Sequence, residues 1–128
     1  MKTVRVLMVE DSPTDAKLIL RALGTPSSLI RSERVENAVA MREALATSAW
    51  DLILSDNSLP GFDAASALRI IKDLGLDIPF VIVSGTIDEE SAVAVMRAGA
   101  HDYVLKGNLA RLAPAVEREL REAAERAE

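Results

Sequence analysis

Short apolar runs alternate with helical patterns five times along this chain, and that alternation leaves few folds open to it. Val4–Val9 (VRVLMV), Leu52-Ile53-Leu54, Pro79–Val83 (PFVIV) and Tyr103-Val104-Leu105 read as strands buried on both faces. Leu29–Val35 is weaker. Arg31 and Glu33 alternate with its apolar residues, which places it at a sheet edge. Between the strands, Ala16, Ile19, Leu20 and Leu23 fall on one helical face within Pro13–Leu23. Asp11 or Ser12 can cap that helix, Pro13 suits its first position, and Gly24 is a stop. Ala38, Met41 and Leu45 mark a second helix. Ala64, Ala67, Leu68 and Ile71 mark a third, ended by Gly75. A fourth is expected from about Asp88 to Ala98, stopped at Gly99, and a fifth from about Pro114 to the chain end. Strands and helices in this succession imply an α/β fold, a parallel sheet covered on both faces.

The 128 residues suit one domain, 1–128, whose last helix, about 114–128, can continue into a linker of a longer protein. Hydrophobic residues make up 49% of the chain but aromatics only 3%, so the core has to be aliphatic. A net charge of −5 argues against a broad face for nucleic-acid phosphates. The absence of cysteine excludes disulfides, thiolate metal sites and cysteine nucleophiles, and a single histidine, His101, excludes a multi-histidine centre. No apolar run approaches the ~18 residues of a membrane span. Met1-Lys2-Thr3 leads directly into the first strand rather than into a secretory signal, so the expected location is the cytoplasm.

In open α/β sheets, ligands bind beyond the carboxyl ends of the strands. Strand 1 ends in Glu10-Asp11, strand 3 in Ser55-Asp56-Asn57-Ser58, strand 4 in Ser84-Gly85-Thr86 and strand 5 in Lys106. Taken singly, these are ordinary residues: a cap, a turn acid, a loop serine, a surface lysine. Their joint placement on successive strand ends is what points to chemistry. Asp11 and Asp56 are hard oxygen ligands of the kind Mg²⁺ (or Mn²⁺) takes, and Glu10 can bind through a metal-bound water. Lys106 and Ser84 can hold the oxygens of a phosphoryl group, and an ionised Asp56 can attack phosphorus to form an aspartyl phosphate.

The motifs VLMVEDS, DLILSDNSLPGFD, VIVSGT and GAHDYVLK together resemble the receiver domain of two-component response regulators, over essentially the whole chain. The resemblance implies a flavodoxin-like (βα)5 three-layer sandwich with a five-stranded parallel sheet in the order 2-1-3-4-5. It implies that Asp56 is the phosphoacceptor, that Asp11 is a direct Mg²⁺ ligand and that Ser58 lends its backbone carbonyl to the metal. Ser84 matches the switch hydroxyl, Lys106 the invariant lysine and Tyr103 the switch aromatic, while Ser58 and Thr86 flank the path of the hydrolytic water. The implied switch moves Ser84 inward and swings Tyr103 from an exposed to a buried position. The implied donor is the phosphohistidine of a sensor histidine kinase or histidine phosphotransfer protein. The implied output runs through the helix 4–strand 5–helix 5 face to a downstream protein, a fused output domain or a second copy, with Ala92, Val95 and Met96 as candidate contacts. The family usually has Lys-Pro with a cis peptide after strand 5, whereas here Gly107 follows Lys106. A cis bond without proline costs ~2.5–4 kcal/mol, so either the peptide is trans or Gly107 uses its φ freedom to follow a similar path.

Two other classes compete with a signalling phosphoacceptor in a phosphorelay. A Mg²⁺-dependent phosphohydrolase with an aspartate nucleophile would need a second acid two residues after Asp56, where Ser58 stands, and an inserted cap for which the chain has no room. A degenerate receiver, acting as a phosphorylation-independent binding scaffold, would not need the complete set of acids, hydroxyl and lysine. The chain is therefore expected to assist its own phosphorylation and dephosphorylation without being a multiple-turnover metabolic enzyme. His101 reads as a loop residue, Trp50 as packing at the end of helix 2, and Leu109, Leu112, Val116 and Leu120 as core contacts of the last helix.

Overall fold

The computed structural model describes residues 2–24, 28–86 and 88–127. Five parallel strands, β1 (Lys2–Val9), β2 (Ser28–Val35), β3 (Leu52–Ser55), β4 (Phe80–Ser84) and β5 (Asp102–Leu105), form one sheet in the order β2-β1-β3-β4-β5. The helices are α1 (Pro13–Leu23), α2 (Ala38–Thr47), α3 (Ala64–Asp73), α4 (Glu89–Ala98) and α5 (Leu112–Ala127). The expected three-layer α/β sandwich and strand order are both present. Met1 and the expected helix end at Glu128 lie outside the described residues.

Strand side chains alternate between faces, and here both faces are covered. Leu7, Val9, Ile53, Phe80 and Ile82 point to one side and pack with Met41 and Ala44 of α2, Leu68 and Ile71 of α3 and Val95 of α4. Val6, Met8, Leu52, Leu54, Val81, Val83 and Val104 point to the other and pack with Ala16, Ile19 and Leu23 of α1 and Leu112, Ala115 and Val116 of α5. Leu109 and Leu120 pack at the edge of that second cluster, as their spacing suggested. β2 is an edge strand, as expected, but its polar residues Arg31, Ser32, Glu33 and Arg34 are exposed in one continuous run rather than in alternation.

Local chemistry fixes the helix ends. Ser12 caps α1 by accepting the Asp15 amide, with Pro13 in the first turn, so the cap is Ser12 and not Asp11. α3 stops in a Schellman arrangement: the Leu76 amide reaches the Ile71 carbonyl, the Gly75 amide reaches the Lys72 carbonyl, and Gly75 has φ 67°. Most strand boundaries shift from expectation by one or two residues, β1 starting at Lys2, β2 at Ser28 and β5 at Asp102, with β3 running on to Ser55. β4 starts after Pro79, which has no amide to give to the ladder, and extends to Ser84, which pairs with Leu105. α5 begins at Leu112, preceded by a 3₁₀ segment over Lys106–Arg111.

A two-stranded ribbon, Ser58–Leu59 with Phe62–Asp63, follows β3 and was not foreseen. Its turn is Pro60-Gly61, with Gly61 at φ 71°, the conformation that a proline-glycine type II turn requires. Asp63 then caps α3 by accepting the Ser66 amide at 2.8 Å.

Candidate functional site

Hydrogen bonding continues one residue past the strands and fixes two of the acids. The Glu10 amide donates to the Val35 carbonyl at 3.1 Å, and the Asp56 amide donates to the Val9 carbonyl at 2.9 Å. These bonds hold Glu10 and Asp56 side by side where β1 lies between β2 and β3, the point at which strand order reverses. Arg34 donates to the Glu10 carbonyl at 3.2 Å and steadies it from the edge strand. Beyond Asp56 the loop is closed by the Ala64 amide on the Asn57 carbonyl at 3.0 Å.

Glu10, Asp11 and Asp56 each present a carboxylate oxygen within 4.8 Å of the others. Glu10 is buried at 2% exposure, Asp56 is half-buried and Asp11 is exposed, so the cluster opens to solvent on one side. Lys106 arrives from the end of β5. Its Nζ lies 2.7 Å from Glu10 Oε1, 2.8 Å from Asp15 Oδ2 and 3.2 Å from Asp56 Oδ2. The contact with Glu10 Oε1 is an ion pair without directed hydrogen-bond geometry, so this buried oxygen keeps acceptor capacity. The other Glu10 oxygen accepts the Ser12 amide at 3.1 Å.

The charges respond to this crowding. Burial pushes the Glu10 carboxyl above its ordinary value, against the pull of Lys106 and the Ser12 amide, and the Asp56 charge adds to the upward push. Burial also opposes the Lys106 charge. The Asp15 and Glu10 carboxylates, with the Asp56 charge, outweigh that and hold the ammonium well above the usual lysine range. Lys106 is therefore held in its charged form at neutral pH.

The donor set fits a small hard divalent cation. Three carboxylates converge, one buried oxygen lacks a directed hydrogen bond, and one side is open to water.

Strand register places Ser84 near the acids, and Thr86 follows it in the loop after β4. Ser55 aligns with Ile82, so Ser84 stands on the neighbouring strand one residue further toward the carboxyl edge than Asp56. Ser84 is buried at 3%, and its hydroxyl oxygen accepts the Thr86 amide at 3.4 Å. Ser58 lies in the ribbon after Asp56; its side chain is outside what the structure describes.

Tyr103 departs from the expected exposed resting position. It is half-buried, packs against the core, and its hydroxyl donates to the Thr86 carbonyl at 3.1 Å. Arg111 holds its backbone carbonyl at 3.1 Å. The tyrosine and the loop after β4 are thus already joined.

The Lys106–Gly107 peptide is trans, since there is no cis peptide among the described residues, and Gly107 does not adopt positive φ. Lys106 reaches the acids by this ordinary path. The residue that sequence reading missed is Asp15, an unremarkable first-turn acid of α1 until β5 brings Lys106 to it. His101 is structural: its Nδ1 accepts the Phe80 amide at 3.0 Å and its amide donates to the Phe80 carbonyl at 2.8 Å. Trp50 donates from Nε1 to the Ala44 carbonyl at 2.9 Å, at the end of α2 as expected. On α4, Val95 is buried, whereas Met96 is exposed beside Val93, which the sequence did not single out.

Residues 6–117 match the family model described as the response regulator receiver domain, and the chain belongs to that family. It is 34% identical over 108 residues to the two-component response regulator ORR41 of Oryza sativa subsp. japonica, covering 82% of this chain and 84% of that one. It is 40% identical over 106 residues to the autoinducer 2 sensor kinase/phosphatase LuxQ of Vibrio cholerae, covering 81% of this chain but 12% of LuxQ. The corresponding match to the DNA-binding transcriptional regulator NtrC of Escherichia coli spans 21% of that protein. Among solved structures, the receiver domain of a signal transduction histidine kinase from Syntrophus aciditrophicus is 31% identical with a TM-score of 0.72, covering 93% of this chain and 91% of that one. The NarL receiver domain from Mycobacterium tuberculosis shares the fold with a TM-score of 0.81 at 22% identity, covering 94% of this chain and 98% of that one. No helix among the described residues is long and apolar enough to cross a membrane.

Proposed function

We propose that the chain is a phosphoacceptor receiver in a two-component phosphorelay, with Asp56 taking the phosphoryl group. The observation that carries this reading is the sharing of one lysine ammonium among Glu10, Asp15 and Asp56, next to a three-carboxylate cluster open on one side. In the reaction, an Asp56 carboxylate oxygen forms a bond to phosphorus as the P–N bond of a phosphohistidine breaks. The bonding pair returns to the imidazole nitrogen, and the donor, protonated on its other ring nitrogen, leaves as neutral histidine. The developing charge on the phosphoryl oxygens falls where Lys106 and the Ser84 hydroxyl can meet it. Glu10, Asp11, Asp56 and the Ser58 carbonyl would hold Mg²⁺ or Mn²⁺, which supplies charge neutralisation for the transferring group. Thr86 and Ser58 leave water a path to the acyl phosphate, so that the state is temporary.

The signal arises from the added charge. A phosphoryl group brings three strong acceptors, and Ser84 is the hydroxyl placed to donate to one. Drawing Ser84 toward Asp56 also pulls Thr86, whose amide it accepts and whose carbonyl holds Tyr103. That linkage reshapes the α4–β5–α5 face, where Val93 and Met96 are exposed. The partners are a sensor histidine kinase or a histidine phosphotransfer protein upstream, and a downstream protein, fused output domain or second copy on that face. The setting is cytoplasmic, and the chain does not act as a multiple-turnover enzyme. A phosphorylation-independent scaffold is disfavoured because the whole set of charged groups is retained.

Incubation with Mg²⁺ and phosphoramidate followed by intact-mass measurement tests this reading. One phosphoryl adduct is expected, absent from Asp56→Asn. Adduct formation on that variant at another residue, or no adduct and no Mg²⁺ binding by the parent, refutes it. Sustained turnover of ordinary phosphomonoesters would favour a hydrolase instead.

A further inference from the structure

Three carboxylates converge on the Lys106 ammonium, and only two of them belong to the metal-capable cluster. Glu10 and Asp56 share that cluster with Asp11, and Asp15 stands outside it. Asp15 nevertheless receives the shorter of the two directed hydrogen bonds from Lys106, 2.8 Å against 3.2 Å for Asp56. Asp15 is anchored from α1 and touches the pocket only at one remove, through Ser12, whose amide donates to Glu10 Oε2 at 3.1 Å. It lies in the first turn of α1, where its backbone amide is held by the Ser12 hydroxyl at 3.1 Å. After Lys106 the chain turns into the 3₁₀ segment, where Gly107 is exposed and has no side chain with which to hold the lysine. A lysine ammonium on a flexible four-carbon stem has three donors and no preferred direction of its own.

We infer that Asp15 is the positioning residue for Lys106, holding the ammonium at the mouth of the acid pocket through a contact that stays free when Glu10 and Asp56 are engaged by metal and phosphoryl group. The inference rests on the phosphoacceptor reading above, which gives Lys106 a phosphoryl oxygen to meet. With Asp15 in place, one N–H of Lys106 is spoken for on the α1 side and the remaining donors face Glu10 and Asp56. Without it, the ammonium settles onto Glu10, the nearest buried carboxylate, and is withdrawn from the incoming group.

Asp15→Ala and Asp15→Asn, each in the parent and in a Lys106→Ala background, test this. The readouts are the phosphorylation rate with phosphoramidate at saturating Mg²⁺ and the ¹³Cε and ¹⁵Nζ NMR signals of Lys106. Asp15→Ala is expected to slow phosphorylation about five- to tenfold, the scale of a displaced but still present group. Asp15→Asn, which keeps an acceptor oxygen, should restore most of the rate. Neither substitution should matter once Lys106 is gone, and both should shift the Lys106 signals in the unphosphorylated protein. An unchanged rate in Asp15→Ala, or an equal loss in the Lys106→Ala background, overturns the assignment. If the parent takes no phosphoryl group, the phosphoacceptor reading has failed. The Lys106 signals then decide alone, as they do where a rate is too slow to read, and signals unmoved by both substitutions mean that Asp15 positions nothing.

Discussion

Replacing Lys106 with methionine keeps the bulk of the side chain and removes the one cation facing Glu10, Asp15 and Asp56. Glu10 is 2% exposed and the Lys106 side chain 19%, so water can replace the ammonium only in part. Breaking a fully buried ion pair costs about 3–5 kcal/mol because the remaining charge is stranded. Asp15 is 38% exposed, which admits solvent from one side and moves the expected loss below that range, to about 2–3 kcal/mol. Unfolding entropy of about 2.1 cal/mol/K per residue over 128 residues converts this to a fall in Tm of roughly 7–11 °C. The assay is thermal and urea denaturation in EDTA at neutral pH, repeated with Mg²⁺. The cation should return more stability to Lys106→Met than to the parent, because it relieves repulsion that the lysine otherwise relieves. Adding Asp56→Asn should likewise recover part of the loss in a double-mutant cycle. A Lys106→Met protein within 0.5 kcal/mol of the parent, with no preferential rescue by Mg²⁺, would refute the view that this lysine neutralises the pocket.

Asp11→Ala should weaken Mg²⁺ binding in calorimetry and leave the metal-free fold equal or slightly more stable, since it removes one of three crowded acids; unchanged affinity would exclude Asp11 as a ligand. Asp63→Ala should cost about 1 kcal/mol by uncapping α3. Hydrogen bonding from Ser66 holds the Asp63 carboxyl below its ordinary value, so its contribution is present above pH ~4 and lost as pH falls through the lowered value; acid denaturation of Asp63→Ala should be less steep below pH ~4 than that of the parent. Gly99→Ala should lose about 1–2 kcal/mol in urea denaturation, because Gly99 has φ 120°, a conformation strained for alanine, while the Lys72 tip that a Cβ would meet can swing aside. His101→Ala should cost about 1–2 kcal/mol by leaving the Phe80 amide without its acceptor, and His101→Gln should recover some of that.

The sheet and the site differ in how far the sequence discloses them. Runs such as PFVIV and LIL are legible because a strand covered on both faces must be apolar throughout, and Glu10, Asp56 and Lys106 are legible because each is the first charged residue after such a run. Asp15 is not, because a first-turn acid is already accounted for by the helix dipole, and its contact with Lys106 spans 91 positions. His101 hides for a similar reason: accepting a backbone amide leaves no periodicity to read. The ribbon after Asp56 did leave a signal in Pro60-Gly61, whose turn geometry pairs the residues on either side. Tyr103 is legible as a position but not as a state, since its hydroxyl bond depends on where the loop after β4 comes to rest.

Trp50, the single tryptophan of the chain, stands just before β3, at the opposite end of that strand from Asp56. The strand rise of ~3.3 Å per residue separates the two by up to roughly 20 Å. Its indole donates to the Ala44 carbonyl and lies under the Arg5 guanidinium, 5.5 Å from the ring centroid, so its surroundings are set by α2 and the start of β1. Tryptophan emission from this protein is therefore an optical gauge of global unfolding, remote from what occupies the acid pocket. Metal and phosphoryl titrations call for a second fluorophore near Asp56, and a resting emission spectrum that Mg²⁺ leaves unchanged says nothing against binding.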